Sequence, residues 1–210
     1  ATIIANFDGP YYIVAAKSLY NPTEIEKFQF SLPNEYYAAH FPGFPLLVKL
    51  LSPIFGFPWA MMVVTLLTSV TALLFFYLLL RQLKLEKSAL WLTLVFAVFP
   101  ARWLIVRSIG SPEPLFITAV LGCFYFFLKG RFWLAGLLGA LAMATKSPGI
   151  LLFSALFLAI FGPRIQDFFI NPIKTSFTLI PKLIPLLLIP ITALSVFLLY
   201  YIQFGDFLAY

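Results

Sequence analysis

Residues 59–80 read WAMMVVTLLTSVTALLFFYLLL, 22 positions without a charged side chain. The hydrocarbon core of a bilayer takes about 20 apolar residues per helix, so this stretch is the clearest membrane span in the chain. It ends on RQLKLEK, where Arg81, Lys84 and Lys87 arrive together. Working outward, residues 88–106 form a second apolar run, interrupted late by Pro100 and Arg102. Residues 114–128 form a third, closed by Lys129 and Arg131. Two shorter runs follow, 132–145 and 148–161, divided by TKSPG at 145–149. Each is too short to cross comfortably alone, so we expect half-crossing or tilted helices that meet near Lys146. Irregular backbone at that depth is tolerated only inside protein or along a wet cavity. Ala135, Gly136, Gly139 and Ala140 suit close helix packing. Residues 164–182 read as a polar connector, and 183–202 as the last span, bent by Pro185 and Pro190.

Composition points the same way. Hydrophobic residues make up 62% of the 210, charged residues 10%, and the mean hydropathy is +0.98. A soluble domain carries about 25% charged residues, so this chain could not cover itself with polar surface. The expected fold is an all-α membrane protein, a polytopic transmembrane helix bundle over 59–210 with an outer first loop of short interfacial helices over 1–58. The chain opens on Ala1 with no targeting signal, and we read it as truncated at both ends, a preceding transmembrane helix lying outside it. A single cysteine, Cys123, excludes an internal disulfide and a Cys-rich metal site.

Charge orients the bundle. The loops holding Arg81, Lys84 and Lys87, then Lys129 and Arg131, then Arg164, Lys174 and Lys182 carry eight of the 14 basic residues. By the positive-inside bias these loops are cytoplasmic, which explains the net charge of +6 without nucleic acid. Asp8, Glu113, Lys146 and Asp206 then fall together on the outer face. We therefore expect a multi-pass membrane protein with its site on the outer face, and we expect the membrane to be the plasma (inner) membrane.

The outer segment begins NFDGPYY at 6–12, with a carboxylate in a tight turn among aromatic rings. Pro10 suits the first turn of a short helix over 10–20. Residues 21–40 read as a polar loop. Residues 41–59, FPGFPLLVKLLSPIFGFPW, read as helical pieces in the membrane interface, broken by Pro45, Pro53 and Pro58.

NFDGPYYIVAA followed by HFPGFPLLVKLL resembles the GT-C superfamily of polytopic glycosyltransferases, nearest to its PIG-V-like mannosyltransferase branch. SIGSPEPLF is similar to that branch's Ser-x-x-Glu-x-Leu-Phe turn, with one residue fewer between Ser111 and Glu113, and LAGLLGALAMATKSPGILL to its small-residue helix ending in a basic residue and Gly. YYIQFGDFLAY resembles a Phe-Gly-Asp-Pro segment. The pattern departs from the family at Phe7, Lys146 and Phe207, where Trp, Arg and Pro are usual, and it lacks a second acid close behind Asp8.

The resemblance implies inverting transfer of a hexose, mannose above all, from a polyprenyl-phosphate donor to a hydroxyl of a glycan, lipid or protein acceptor. Membrane lipids are then partners and nucleic acid is not. Such chemistry needs a base for the acceptor proton and cations for the departing phosphate. Asp8 is the candidate base; read from the turn alone, it serves equally as a helix cap. A carboxylate partly desolvated beside Tyr11 and Tyr12 would suit the role. Lys146, costly to bury between two short helices, is a candidate for donor phosphate, as is Arg107 or Arg102, each of which reads otherwise as snorkelling to headgroups. Glu113 contacts a sugar hydroxyl or a metal, or neutralises a helix N-terminus. His40, the only histidine, is a substrate contact or a structural ring. The residues assign no metal ligand, and the resemblance leaves open a divalent metal, Mg or Mn. No Gly-rich phosphate loop or zinc motif appears. Other classes also fit broken helices, namely a membrane transporter or lipid flippase, or a non-catalytic membrane scaffold subunit.

Overall fold

The computed structural model describes residues 8–209, which are all helix, turn and coil with no strand among them. The chain opens with α1 (Gly9–Ser18) and α2 (Pro22–Glu26), a 3-10 turn (Asn34–Ala39), and α3 (Gly43–Phe55). Asn21 accepts a hydrogen bond from the Thr23 N–H and so starts α2, where Pro22 needs no donor partner. After Gly56 the chain enters α4 (Phe57–Gln82), 26 residues long. Residues 1–7, including the first two letters of NFDGPYY, lie outside the described residues.

The second apolar run is not one helix. It divides into α5 (Glu86–Val98) and α6 (Ala101–Val106). Pro100 has no N–H to donate, and its ring pushes Phe99 out of helical backbone; Phe99 is extended accordingly. Next come α7 (Glu113–Leu128) and α8 (Phe132–Thr145), then a 3-10 turn (Ser147–Ile150) leading to α9 (Leu151–Phe161). The expected break at Lys146 is therefore present. The run after it is longer than expected, because helix resumes through Gly162–Arg164 into α10 (Ile165–Ile170). The expected polar connector is helical too: α11 (Pro172–Leu183) passes through a 3-10 turn (Ile184–Leu187) into α12 (Leu188–Phe204). Three stretches among the described residues, Phe57–Gln82, Ser147–Ile170 and Pro172–Phe204, are long and apolar enough to cross a membrane.

The bundle is built on α4 against α7, α7 against α8, and α8 against α12. One core gathers Tyr37, Phe41, Leu152, Leu156, Leu186 and Tyr200. A second joins Tyr12 of α1 and Phe44 and Val48 of α3 to Met61, Val64 and Leu115. The first segment is thus seated on the bundle by its own buried side chains. The exposed face of α3 is also apolar, at Leu46, Leu50 and Ile54.

Small residues on α8 allow the tightest approach. A Cβ on Gly136 would run into the carbonyl oxygen of Pro185, whereas one on Gly139 would meet the Ile189 side chain. Backbone cannot swing aside as a side chain can. Gly136→Val is therefore expected to lower the thermal unfolding midpoint in detergent well below that of Gly139→Ala, in line with the roughly 1–3 kcal/mol typical of overpacking. Equal midpoints would show that α8 and the 184–187 turn are not held this closely.

Candidate functional site

The site is built where α7 begins and α8 ends. Lys146 is extended (φ −152°, ψ 142°) because α8 stops at Thr145 and the chain must turn. The turn folds back so closely that a Cβ on Gly149 would overlap the backbone of Met143. Across from it, the loop between α6 and α7 is pinned to α4. The Thr65 hydroxyl accepts from the Ser111 N–H (3.1 Å) and shares its own proton between the carbonyls of Met61 (3.0 Å) and Ser111 (3.2 Å). Thr65 and Ser111 are both buried, so these bonds fix where Glu113 emerges.

Between these parts lies a cavity of about 500 Å³, whose wall includes Asp8, Tyr12, Arg102, Glu113 and Lys146. Residues 33 apart in sequence meet here: Lys146 Nζ donates to Glu113 Oε1 at 2.7 Å. The two side chains are 34% and 25% exposed, so the pair is reachable from the cavity. Lys146 is not a lone buried cation, as its position between short helices suggested; a carboxylate holds it.

Asp8 occupies the N-cap position of α1, yet its side chain makes no cap hydrogen bond. Its backbone carbonyl does that work, accepting from the N–H groups of Tyr11 (3.0 Å) and Tyr12 (3.1 Å). The carboxylate is left at the cavity wall. It is exposed, so the partial desolvation expected beside the tyrosines is absent.

Sequence reasoning took Tyr12 only as a neighbour of Asp8, and it passed over Thr65 and Ser111. Tyr12 is buried and lines the cavity. Burial first, then the nearby carboxylates of Glu113 and Asp8, push its phenol far above the ordinary range. Its hydroxyl therefore remains a hydrogen-bond donor at any working pH.

Two expected site residues are not at the wall. Arg107 follows α6 and does not line the cavity, while Arg102 does. His40 is only 3% exposed and ringed by tyrosines, with centroid separations of 4.7 Å to Tyr12, 5.5 Å to Tyr36 and 5.7 Å to Tyr11. Its backbone carbonyl accepts from the Tyr20 hydroxyl. Its ring packs among the aromatic side chains of the first segment. Asp206 accepts from the Leu208 N–H in its own turn, 2.9 Å away, and is not part of the wall.

Burial lowers the pKa of His40, against the opposing pull of Asp8 and of the Tyr36 and Tyr37 backbones. The folded state then binds fewer protons than the unfolded one, whose imidazole titrates near 6.5. Stability is complete above about pH 6.5 and falls as the pH drops below it. Unfolding midpoints measured from pH 7.5 to 5 should decline for the wild type and decline less for His40→Gln. Parallel profiles would exclude His40 as the source.

Among the described residues no three His, Cys, Asp or Glu side chains come together to hold a metal ion. Asp8 and Glu113 are the carboxylates in the cavity wall, and Glu113 is held by Lys146. Among the described residues this set does not fit a resident divalent ion. No family model, curated protein or solved structure matches the chain.

Proposed function

We propose that this chain is the core of a multi-pass membrane glycosyltransferase of the plasma membrane, working on the outer face. It transfers a hexose, mannose foremost, from a polyprenyl-phosphate donor to an acceptor hydroxyl on a glycan, lipid or protein. The observation that carries this reading is a single cavity whose wall combines one unengaged carboxylate, Asp8, with the cations Lys146 and Arg102. An inverting transfer needs those two kinds of group on opposite sides of one carbon. Asp8 takes the proton of the acceptor hydroxyl as the oxygen attacks the anomeric carbon. The bond to the donor phosphate breaks, and its electrons leave with the lipid phosphate. Lys146 and Arg102 stabilise the charge that develops there. Tyr12 donates to a sugar or phosphate oxygen, and Glu113 holds Lys146 in place until the phosphate arrives. Helices with exposed apolar faces and a charge-poor exterior suit a donor that arrives through the membrane.

The test is direct. The chain, reconstituted in liposomes with synthetic polyprenyl-phosphate mannose and a panel of hydroxyl acceptors, should release polyprenyl phosphate in step with mannosylated product. Binding of the donor with no transfer to any acceptor, or its movement between leaflets intact, would replace the enzyme with a carrier.

A further inference from the structure

A second cavity, about 290 Å³, lies at the far end of α4 and α7 from the first, walled by Leu78, Arg81, Gln82, Glu86, Tyr125 and Lys129. Arg81 is the first charged residue after the long apolar run of α4, and Lys129 follows directly on α7. Both cations therefore stand where apolar helix surface gives way to water. Neither is in an ion pair among the described residues. Each instead rests over a tyrosine of its own helix, Arg81 on Tyr77 and Lys129 on Tyr125, both at 5.8 Å. An exposed apolar stripe runs up to this point along α4 through Leu67, Val70 and Leu74, at helical spacing.

We infer that this cavity binds the headgroup of an anionic phospholipid, its acyl chain lying along the α4 stripe. Two cations over aromatic rings suit a phosphate oxygen cluster, and the stripe suits a tail. Glu86 refines the choice. With one carboxylate against two cations the wall carries a single net positive charge, which matches a monoanionic phosphodiester better than a dianionic phosphate monoester. Glu86 can also accept hydrogen bonds from headgroup hydroxyls, so a glycerol headgroup is favoured over a bare phosphate. This inference does not rest on the proposed transfer reaction, since it concerns the other end of the bundle.

The experiment places the purified chain in phosphatidylcholine nanodiscs containing one-fifth phosphatidylglycerol and measures co-purifying lipid by native mass spectrometry. Retention of phosphatidylglycerol over phosphatidylcholine is expected. Arg81→Gln with Lys129→Gln should cut that retention about 25-fold, roughly fivefold per basic side chain. The charge-conserving Arg81→Lys with Lys129→Arg should keep most of it and guards against misfolding. Glu86→Gln should narrow the preference for phosphatidylglycerol over phosphatidic acid. Three results would overturn the site: equal retention of neutral and anionic lipid, an equal loss from Lys84→Gln with Lys87→Gln (general surface charge), or displacement by inorganic phosphate at matched concentration (a lipid-independent anion site).

Discussion

Asp8→Asn is expected to lower the rate of hexose transfer at least about a hundredfold while leaving the helical fold intact. A positioned general base contributes roughly 10²–10⁴ in rate, and asparagine keeps the shape of aspartate without its capacity to take a proton. The substitution is clean for a structural reason. The Asp8 side chain is exposed and makes no cap hydrogen bond, and α1 is begun by the Asp8 backbone carbonyl, which asparagine retains. Loss of transfer with an unchanged unfolding midpoint would therefore report on chemistry. Turnover within about threefold of wild type would remove Asp8 as the base.

Lys146→Met should be nearly as damaging, by about 10²–10³ in kcat/KM, the range found when one preorganised charge donor is removed from a reacting oxyanion. Two effects add. In the proposed reaction the cation facing the departing phosphate is lost, and Glu113 keeps its negative charge at the cavity wall without its cation. Glu113→Gln alone should cost far less, because Lys146 remains. The informative protein is the double variant. Glu113→Gln in the Lys146→Met background removes the stranded carboxylate and should recover part of the lost affinity, an interaction energy that a double-mutant cycle measures. Strict additivity would mean that the two residues meet in the folded chain without sharing a task. Lys146→Arg should retain substantial activity, since the charge stays.

Much of this site was legible from patterns that bilayer physics makes strict. A run of apolar residues cannot continue through Thr145-Lys146-Ser147-Pro148-Gly149, so the break near Lys146 could be read directly. Alternating charge between loops placed Asp8, Glu113 and Lys146 together, and the cavity gathers these three. What could not be read was pairwise contact. Nothing local ties Glu113 to Lys146, and a threonine such as Thr65 in an apolar helix ordinarily bonds only its own preceding turn. His40 was ambiguous because a lone imidazole among tyrosines looks the same in sequence whether it faces a ligand or a core. Arg102 and Arg107 were separable in principle. Five helical residues turn through about 140° from the starting direction, so the two could not both face one wall. The broken second run and the helical 164–182 segment were misjudged for one reason: proline and scattered polar residues mark where a helix bends or restarts as readily as where it ends.

The shortness of α7 and α8 has a mechanical consequence. At 16 and 14 residues they measure about 24 and 21 Å, against a hydrocarbon thickness of about 30 Å. With the ends bearing Lys129 and Arg131 anchored at one boundary, the cavity opens several ångströms beneath the other, as the bottom of a well. Under the proposed reaction a lipid-borne phosphate descends into the well, and a thinner bilayer shortens the descent. Under that reaction, membrane thickness becomes a control on transfer that acts without touching any residue of the cavity.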